Sequence, residues 1–363
     1  MKINKKYRNN AIRDYIVGWT MAFIFLSVVR GIGTEELGTL KFDIKASFLI
    51  SFTLGPILGF FAGISELYME DTIYKKVSIG KFLLIRIGYG LLFLVFLVLA
   101  AYSVYQFYFG TQQSIFDFAL DTGSFVIYSY VIFVDIFLNI LRQINLMLGY
   151  GNLSKLLRGK FYTPREEERI FMFLDLQSST QLAEQLGNIT YSLLIQDCFN
   201  DLSAVIEYEA EIYQYVGDEA VLTWPLLKGI KKQNCIRAFY AFKKQIETRA
   251  GHYQQRYGTK PNFKAGMHYG RVTVTEIGKY KIEIAFHGDA INTAARIQGQ
   301  CNALNAELLI SKKLKSKLDN VQRKPQIPID YTSRGMVSLK GKKKEVEIYA
   351  VQQLEPSYLS AKN

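Results

Sequence analysis

From Ala46 to Ser65 the chain runs through twenty residues without a single charge. That is long enough for a helix to cross the hydrocarbon core of a bilayer. Three further apolar runs, Tyr15–Val29, Ile87–Phe109 and Ser124–Leu141, fall in the same first 150 residues. Backbone placed in lipid must satisfy its own hydrogen bonds, so this region is restricted to helices. The Tyr15 run is short and is closed by Arg30, which keeps a three-span arrangement open.

Loop charge favours four spans. Lys2, Lys5, Lys6, Arg8 and Arg13 precede the first run, Lys75, Lys76 and Lys81 follow the second, and Arg142, Lys155, Arg158 and Lys160 flank the end of the fourth. The connection Gln106–Gly123 has neither Lys nor Arg, and the mixed loop Gly31–Lys45 says little. Basic segments stay in the cytoplasm, so both ends of this region are expected there, in a multi-pass inner-membrane protein in contact with lipid. No A-x-A type site follows the basic N-terminus, which reads as a retained helix rather than a cleaved signal. Gly55-Pro56 predicts a kink. Asp135, Asn139 and Arg142 share one helical face, expected to meet other helices rather than a ligand. With no internal repeat or pair of broken spans, transport is not favoured.

The chain has 363 residues and a net charge of +12. That charge suits nucleic acid or the basic cytoplasmic face of a membrane protein. The run Lys312–Lys317 lacks the interleaved aromatics of a nucleic-acid platform, so no nucleic acid is expected, and the run reads as a solvated or membrane-facing surface. Cys198, Cys235 and Cys301 show no metal spacing and fit a reducing compartment. His252, His268 and His287 show none either, and His287 is given a structural role.

The domain boundaries expected are a transmembrane domain over 1–150, a short linker over 151–168, a catalytic-type domain over 169–353 and a tail over 354–363. Gly149-Tyr150-Gly151 ends the membrane part, and Thr163-Pro164 before Arg165–Glu168 marks the entry to the second domain. There, Ile170–Asp175 predicts a strand and Thr180–Glu207 a helix. Glu211–Trp224 predicts a hairpin turning at Gly217-Asp218. A helix over Asn234 to about Gln254 follows, then strands over Phe263–Ile277 and Lys281–Phe286, a helix over Asp289–Gln300 and a strand over Leu308–Ser311. The order βαββαβ with further β predicts an α+β ferredoxin-like fold after an α-helical membrane domain.

The chemistry gathers at strand ends. In RIFMFLDLQSST an apolar strand delivers Asp175 to the start of a helix, where free backbone N–H groups suit phosphate. A plain helix cap is the alternative. The hairpin places Asp218 beside that strand in a ferredoxin-like sheet. Two adjacent carboxylates repel unless a cation lies between them, and two divalent metals clamping a nucleoside triphosphate would fit. A simple turn residue is the alternative for Asp218. In HGDAINTAAR, Asp289 reads as an N-cap, and Asn292 and Arg296 lie one turn apart on one face. An amide and a guanidinium so placed can orient a ribose and hold charge on phosphate.

FLDLQSST, YQYVGDEAV, HGDAINTAARI and RGMVSLKGKKKEVEIYAV, in that order over Arg169–Gln353, resemble the class III nucleotide cyclase catalytic domain of adenylate and guanylate cyclases. The resemblance implies that Asp175 and Asp218, with the Leu176 backbone, bind two divalent cations, Mg²⁺ or Mn²⁺. It implies that Asn292 orients the ribose and Arg296 stabilises the transition state. Ser178, Ser179, Thr180 and Lys340 become phosphate contacts, with Lys342–Lys344 crowding the last position. It also implies a homodimer with metal residues from one chain and Asn and Arg from the other. The reaction implied forms a 3′,5′-cyclic nucleotide and pyrophosphate.

Two positions depart from the family. The base-pocket residues are Gln214, where adenylate cyclases carry Lys, and Ala285, where they carry Asp or Thr; guanylate cyclases have Glu and Cys there. The family often has Gly in place of Ser178. ATP is the first expectation for substrate, with GTP or a pyrimidine triphosphate as alternatives. A diguanylate cyclase is disfavoured because Val216 replaces the first Gly of its hairpin motif and HGDAINTAARI has no place in it. A membrane receptor with an inactive nucleotide-binding domain is disfavoured because Asp175, Asp218, Asn292 and Arg296 are all retained.

Overall fold

The computed structural model describes residues 5–35, 44–72, 79–110, 114–149, 152–321 and 328–354. Lys2, Lys75, Lys76, Tyr150, Gly151, the centre of the Gly31–Lys45 loop and the tail beyond residue 354 lie outside them. The chain forms two compact units, 1–146 and 147–363.

The first unit holds four long apolar helices: α1 (Lys5–Glu35), α2 (Ile44–Thr72), α3 (Ile79–Phe109) and α5 (Thr122–Met147), with a short α4 (Ile115–Leu120). Stretches within these four, Tyr7–Gly31, Lys45–Glu70, Ile87–Phe109 and Gly123–Met147, are each long and apolar enough to cross a membrane. The first helix extends at both ends beyond the apolar run read from the sequence, so its shortness is not a property of the helix. Its core is Trp19 and Phe23 of α1 packed on Leu54 and Leu58 of α2, Phe93 and Leu97 of α3, and Val131 and Val134 of α5.

Three glycines bring α1 and α2 together. A Cβ on Gly55, Gly59 or Gly63 would stand 2.7, 2.5 or 3.1 Å from the Cα of Thr20, Ile16 or Ile12. This is the close helix approach that small residues every fourth position permit. Pro56 lies inside α2, which is one helix from Ile44 to Thr72.

Arg142, 8% exposed, donates to the Tyr7 hydroxyl at 2.8 Å and to Glu70 at 2.5 Å. Tyr15 donates to Asn139 at 3.1 Å. Asn139 and Arg142 of α5 therefore meet α1 and α2. The contact joins the start of α1 to the later parts of α2 and α5.

The second unit begins with α6 (Asn152–Leu157) and then builds one eight-stranded sheet. Its elements are β1 (Arg165–Leu176), α7 (Ser179–Asp201), β2 (Glu211–Val216), β3 (Glu219–Pro225), α8 (Leu226–Ile230), α9 (Asn234–Thr248), α10 (Ala250–Tyr257), β4 (Phe263–Ile277), β5 (Glu283–His287), α11 (Asp289–Gln298), β6 (Leu308–Ser311), α12 (Lys312–Val321), β7 (Ile329–Val337) and β8 (Val346–Gln353). The order is β2-β3-β1-β4-β6-β8-β7, with β5 on β4. The first four strands carry the ferredoxin-like arrangement, with β1 between β3 and β4 and antiparallel to both.

Alternation along β1 divides its side chains. Ile170, Met172, Leu174 and Leu176 join the core that includes Leu194 of α7 and Phe239 and Phe242 of α9. Phe171 and Phe173 pack on the other face with Ala290 and Ala294 of α11. β1 starts at Arg165, earlier than its apolar run, because Arg165–Glu168 pair with Arg271–Val274 of β4. The expected 180–207 helix is broken. Gly187 takes φ +72°, ψ 160°, a conformation open essentially to glycine alone, and residues 202–208 tighten into a 3₁₀ turn. The Lys312–Lys317 run forms most of α12, whose Leu314 and Leu318 are buried in the same core as Ile170.

Candidate active site

Asp175 follows Phe171 and Phe173 in the alternation of β1, which puts it on the α11 face of the sheet. Its Oδ2 accepts a hydrogen bond from Gln298 Nε2 at 3.0 Å. Burial and the charge of Asp218 hold its carboxyl above the usual range, offset in part by hydrogen bonds from Gln298 and the Leu176 backbone. Asp218 sits in the two-residue turn between β2 and β3, where Gly217 supplies φ +62°. The hairpin thus brings the two acids together across the β1–β3 ladder. Glu219 lies opposite Asp175 in that ladder. Burial, then Asp175 and Asp218, push its carboxyl up to about 7.

Beyond Leu176 the chain turns sharply. Ser178 adopts φ +58°, ψ 32°, the left-handed conformation. This is the physical reason a glycine suits the position, and serine meets it at a cost of roughly 1–2 kcal/mol. No side chain caps α7 there, so Asp175 is not its cap, and the leading N–H groups are left for a ligand. A pocket of about 300 Å³ follows, lined by Asp175, the turn 177–181, Lys264, Gln298 and Asn302. Lys264 stands opposite Asp175 on β4 and donates to Asn302 at 2.7 Å. Lys264, Gln298 and Glu219 were not singled out in the sequence; only strand register could have found the first and third.

α11 sits hard against β4. A Cβ on Gly270 would stand 2.7 Å from that of Ala290, and one on Gly266 2.1 Å from the Gln298 nitrogen. Ala290, Thr293, Ala294 and Ile297 face the sheet and are buried. Asn292 is exposed and Arg296 half-buried, on the face turned away. Asp289 is the first residue of α11 rather than its N-cap, which is Gly288. Its carboxylate pairs with Lys342 at 2.8 Å and is held below the usual range, chiefly by that lysine. The pair ties the turn after β7 to α11. Gly341 (φ +72°) lies beside the Arg296 guanidinium, with exposed Lys340 next to it. Among the lysines of that run, Lys342 is therefore engaged and Lys340 stands by Arg296.

Gln214 is exposed on β2. A bulge at Tyr213 pairs Gln214 with Val221 and so turns it to the α11 face, the face of Asp175. Tyr213 packs edge-on against Phe286, 4.9 Å between centroids. Gln214, Tyr213 and Phe286 line a second cavity of about 440 Å³. Ala285, 7% exposed, does not line it. The structure thus joins Asp175, Asp218 and the 177–180 turn into one locus, and Arg296, Asn292 and Lys340 into another on the outer face of α11.

Among the described residues no group of three or more His, Cys, Asp or Glu is arranged to hold a metal by itself. Two neighbouring carboxylates, one of them lining that pocket, still fit a hard divalent cation, which is commonly held by one or two acids together with substrate phosphates. Mutual repulsion of Asp175 and Asp218 gives such a cation its electrostatic reason to bind.

Adenylate cyclase 2 of Rhizobium meliloti (strain 1021) is 34% identical over 206 residues, covering 56% of this chain and 55% of that protein. The photoactivated adenylate cyclase subunit beta of Euglena longa is 24% identical over 180 residues, covering 49% of this chain and 19% of that protein. The chain thus spans about half the length of the first and less of the second. A solved bacterial light-regulated adenylyl cyclase shares the fold, with a TM-score of 0.53 at 18% identity over 67% of this chain and 70% of its own. Residues 161–353 match the Adenylate and Guanylate cyclase catalytic domain, and the chain belongs to that family.

Proposed function

We propose that the protein is a membrane-anchored nucleotide cyclase that converts ATP to 3′,5′-cyclic AMP and pyrophosphate for signalling, at sites shared between two copies of the chain. One observation carries the reading. Asp175 lines a pocket of about 300 Å³ and has Asp218 near it in the hairpin turn, while Asn292 and Arg296 do not line that pocket and lie on the face of α11 turned from the sheet. The two halves of the chemistry stand apart on one chain, and a second chain would bring them onto one substrate.

In that site the free N–H groups of the 178–180 turn and Lys264 hold the β- and γ-phosphates. Asn292 of the partner subunit orients the ribose, and Arg296 of the partner subunit, with Lys340 beside it, takes up charge growing on the α-phosphate. The ribose 3′-oxygen forms a bond to the α-phosphorus as the bond to the bridging β-oxygen breaks; pyrophosphate leaves and the hydroxyl proton passes to solvent. Asp175, Asp218 and the Leu176 backbone would hold two Mg²⁺ or Mn²⁺ ions, which would supply Lewis acidity toward the hydroxyl and the leaving group. The four apolar helices support anchoring in an inner membrane with the second unit in the cytoplasm, where the triphosphate is found.

Base choice rests on Gln214, because Ala285 offers no side-chain hydrogen bond. The 34% identity to a protein named an adenylate cyclase favours ATP. The test is purified protein with Mn²⁺ and each of the four ribonucleoside triphosphates in turn, with products read by mass spectrometry. Cyclic AMP as the main product is expected. A different cyclic nucleotide would move the base assignment, and no product from any of the four would remove the enzyme reading.

A further inference from the structure

The end of α11 makes a contact that the reaction above leaves unused. Gln298, its last residue, donates from Nε2 to Asp175 Oδ2 at 3.0 Å, and both line the same pocket. A carboxylate offers only acceptors, so the N–H end of the amide must face it. The contact depends on how closely α11 approaches the sheet. On β4 a Cβ at Gly266 would lie 2.1 Å from the Gln298 nitrogen, 2.5 Å from its Cα and 2.8 Å from the Ala294 oxygen. Gly266 pairs with Phe173, two residues before Asp175 on β1. The missing side chain therefore sits at the level of the sheet where the helix end must drop for a glutamine to reach the strand end.

On its other side Asp175 faces Asp218 and Glu219. A carboxylate among like charges turns toward solvent unless something holds it. Gln298 occupies one oxygen and leaves the other, Oδ1, free of that bond. We propose that Gln298 is a positioning residue, whose amide fixes the orientation of Asp175 so that its open oxygen is available to the divalent cation bound with the nucleotide. This rests on the cyclase reading of Asp175. Partners behind a metal ligand typically carry about 10- to 100-fold of metal affinity. In this role Gln298 does not touch the nucleotide, so metal dependence and nucleotide dependence separate.

The experiment titrates full-length protein in detergent with Mn²⁺, read by electron paramagnetic resonance, in the presence of 3′-deoxy-ATP, which cannot cyclise. Gln298→Met keeps length and helix preference without the amide, and Gln298→Glu sets acceptor against acceptor. Each is expected to weaken Mn²⁺ binding about tenfold or more. The half-saturating Mn²⁺ for cyclisation should rise by the same factor, while nucleotide KM at saturating Mn²⁺ stays within about twofold. Mn²⁺ affinity in Gln298→Met equal to the parent protein overturns the proposal, as does a lowered metal-free melting temperature with unchanged Mn²⁺ affinity, which would assign Gln298 to packing. Asp175→Asn separates the two levels. If it binds Mn²⁺ as well as the parent, Asp175 is no metal ligand, and the cyclase reading of that residue falls together with this one.

Discussion

At the residue scale, what the sequence could show was chemistry without geometry. The approach of Asp175 and Asp218 was legible because an acid at the end of an apolar strand is out of place in a core and a Gly-Asp turn beside that strand brings a second acid to it. Lys264 was not, because a lysine at the start of an apolar strand looks like any solvated charge until register sets it across from Asp175. Ser178 is the residue whose conformation decides a role. Held at φ +58°, it serves through its backbone, so Ser178→Gly should keep activity. Ser178→Val puts a β-branched side chain where such residues scarcely occur, and should raise nucleotide KM and lower the melting temperature by several degrees. Removing the guanidinium with Arg296→Ala should lower kcat about 10²- to 10³-fold, as loss of a transition-state donor does, with the metal-free melting temperature unchanged.

His268 makes a pH prediction. It is 6% exposed and bonded through Nδ1 to Ser311 at 2.7 Å. Burial, with Lys342 and Lys313 nearby and Asp289 opposing, lowers its pKa to about 3. Between that value and its ordinary one near 6.5 the unfolded chain binds a proton that the folded chain refuses. Stability should therefore fall as pH drops through this window. In paired melts from pH 7 to pH 4, His268→Gln, which can keep a bond to Ser311, should lose less stability than the parent protein. Equal slopes would show that His268 is not the group responsible.

At the element scale, strands and helices with strong periodicity were legible, and the two glycine devices were not. Gly55, Gly59 and Gly63 form a small-residue series visible in the sequence, yet only the contact with Thr20, Ile16 and Ile12 shows which helix they admit. Gly266 and Gly270 form the floor for α11. The break of α7 was missed because apolar spacing continues past Gly187, while one residue there takes a conformation outside the helix. Gly59→Leu should force α1 off α2 and cost more than about 2 kcal/mol through overpacking. The same substitution at Gly88, whose Cβ position has no neighbour within 4 Å, should be nearly silent. Thermal aggregation of the two variants in detergent compares them directly, and similar losses would place the α1–α2 contact elsewhere.

At the scale of the whole molecule, α11 turns Asn292 and Arg296 away from its own sheet. Helices of a folded domain bury their apolar side, and α11 does so with Ala290, Ala294 and Ile297. What remains outward is Asn292, Arg296 and the turn carrying Lys340, a cluster with no acid of its own chain's Asp175 locus among its contacts. Such a face makes sense if it is completed by another chain's pocket. In a homodimer each chain then gives acids to one site and the amide and guanidinium to the other. Asp175→Ala and Arg296→Ala should each abolish both sites of their own homodimers. A heterodimer of the two variants holds one site with both lesions and one with neither, so co-expressed and doubly tag-purified heterodimers should recover up to about half of the parent rate per dimer. Heterodimers of proven composition without activity would place Arg296 and Asp175 of the same chain in one site. In that case α11 would have to swing its outer face inward past Gly266 and Gly270, a movement the close packing there opposes.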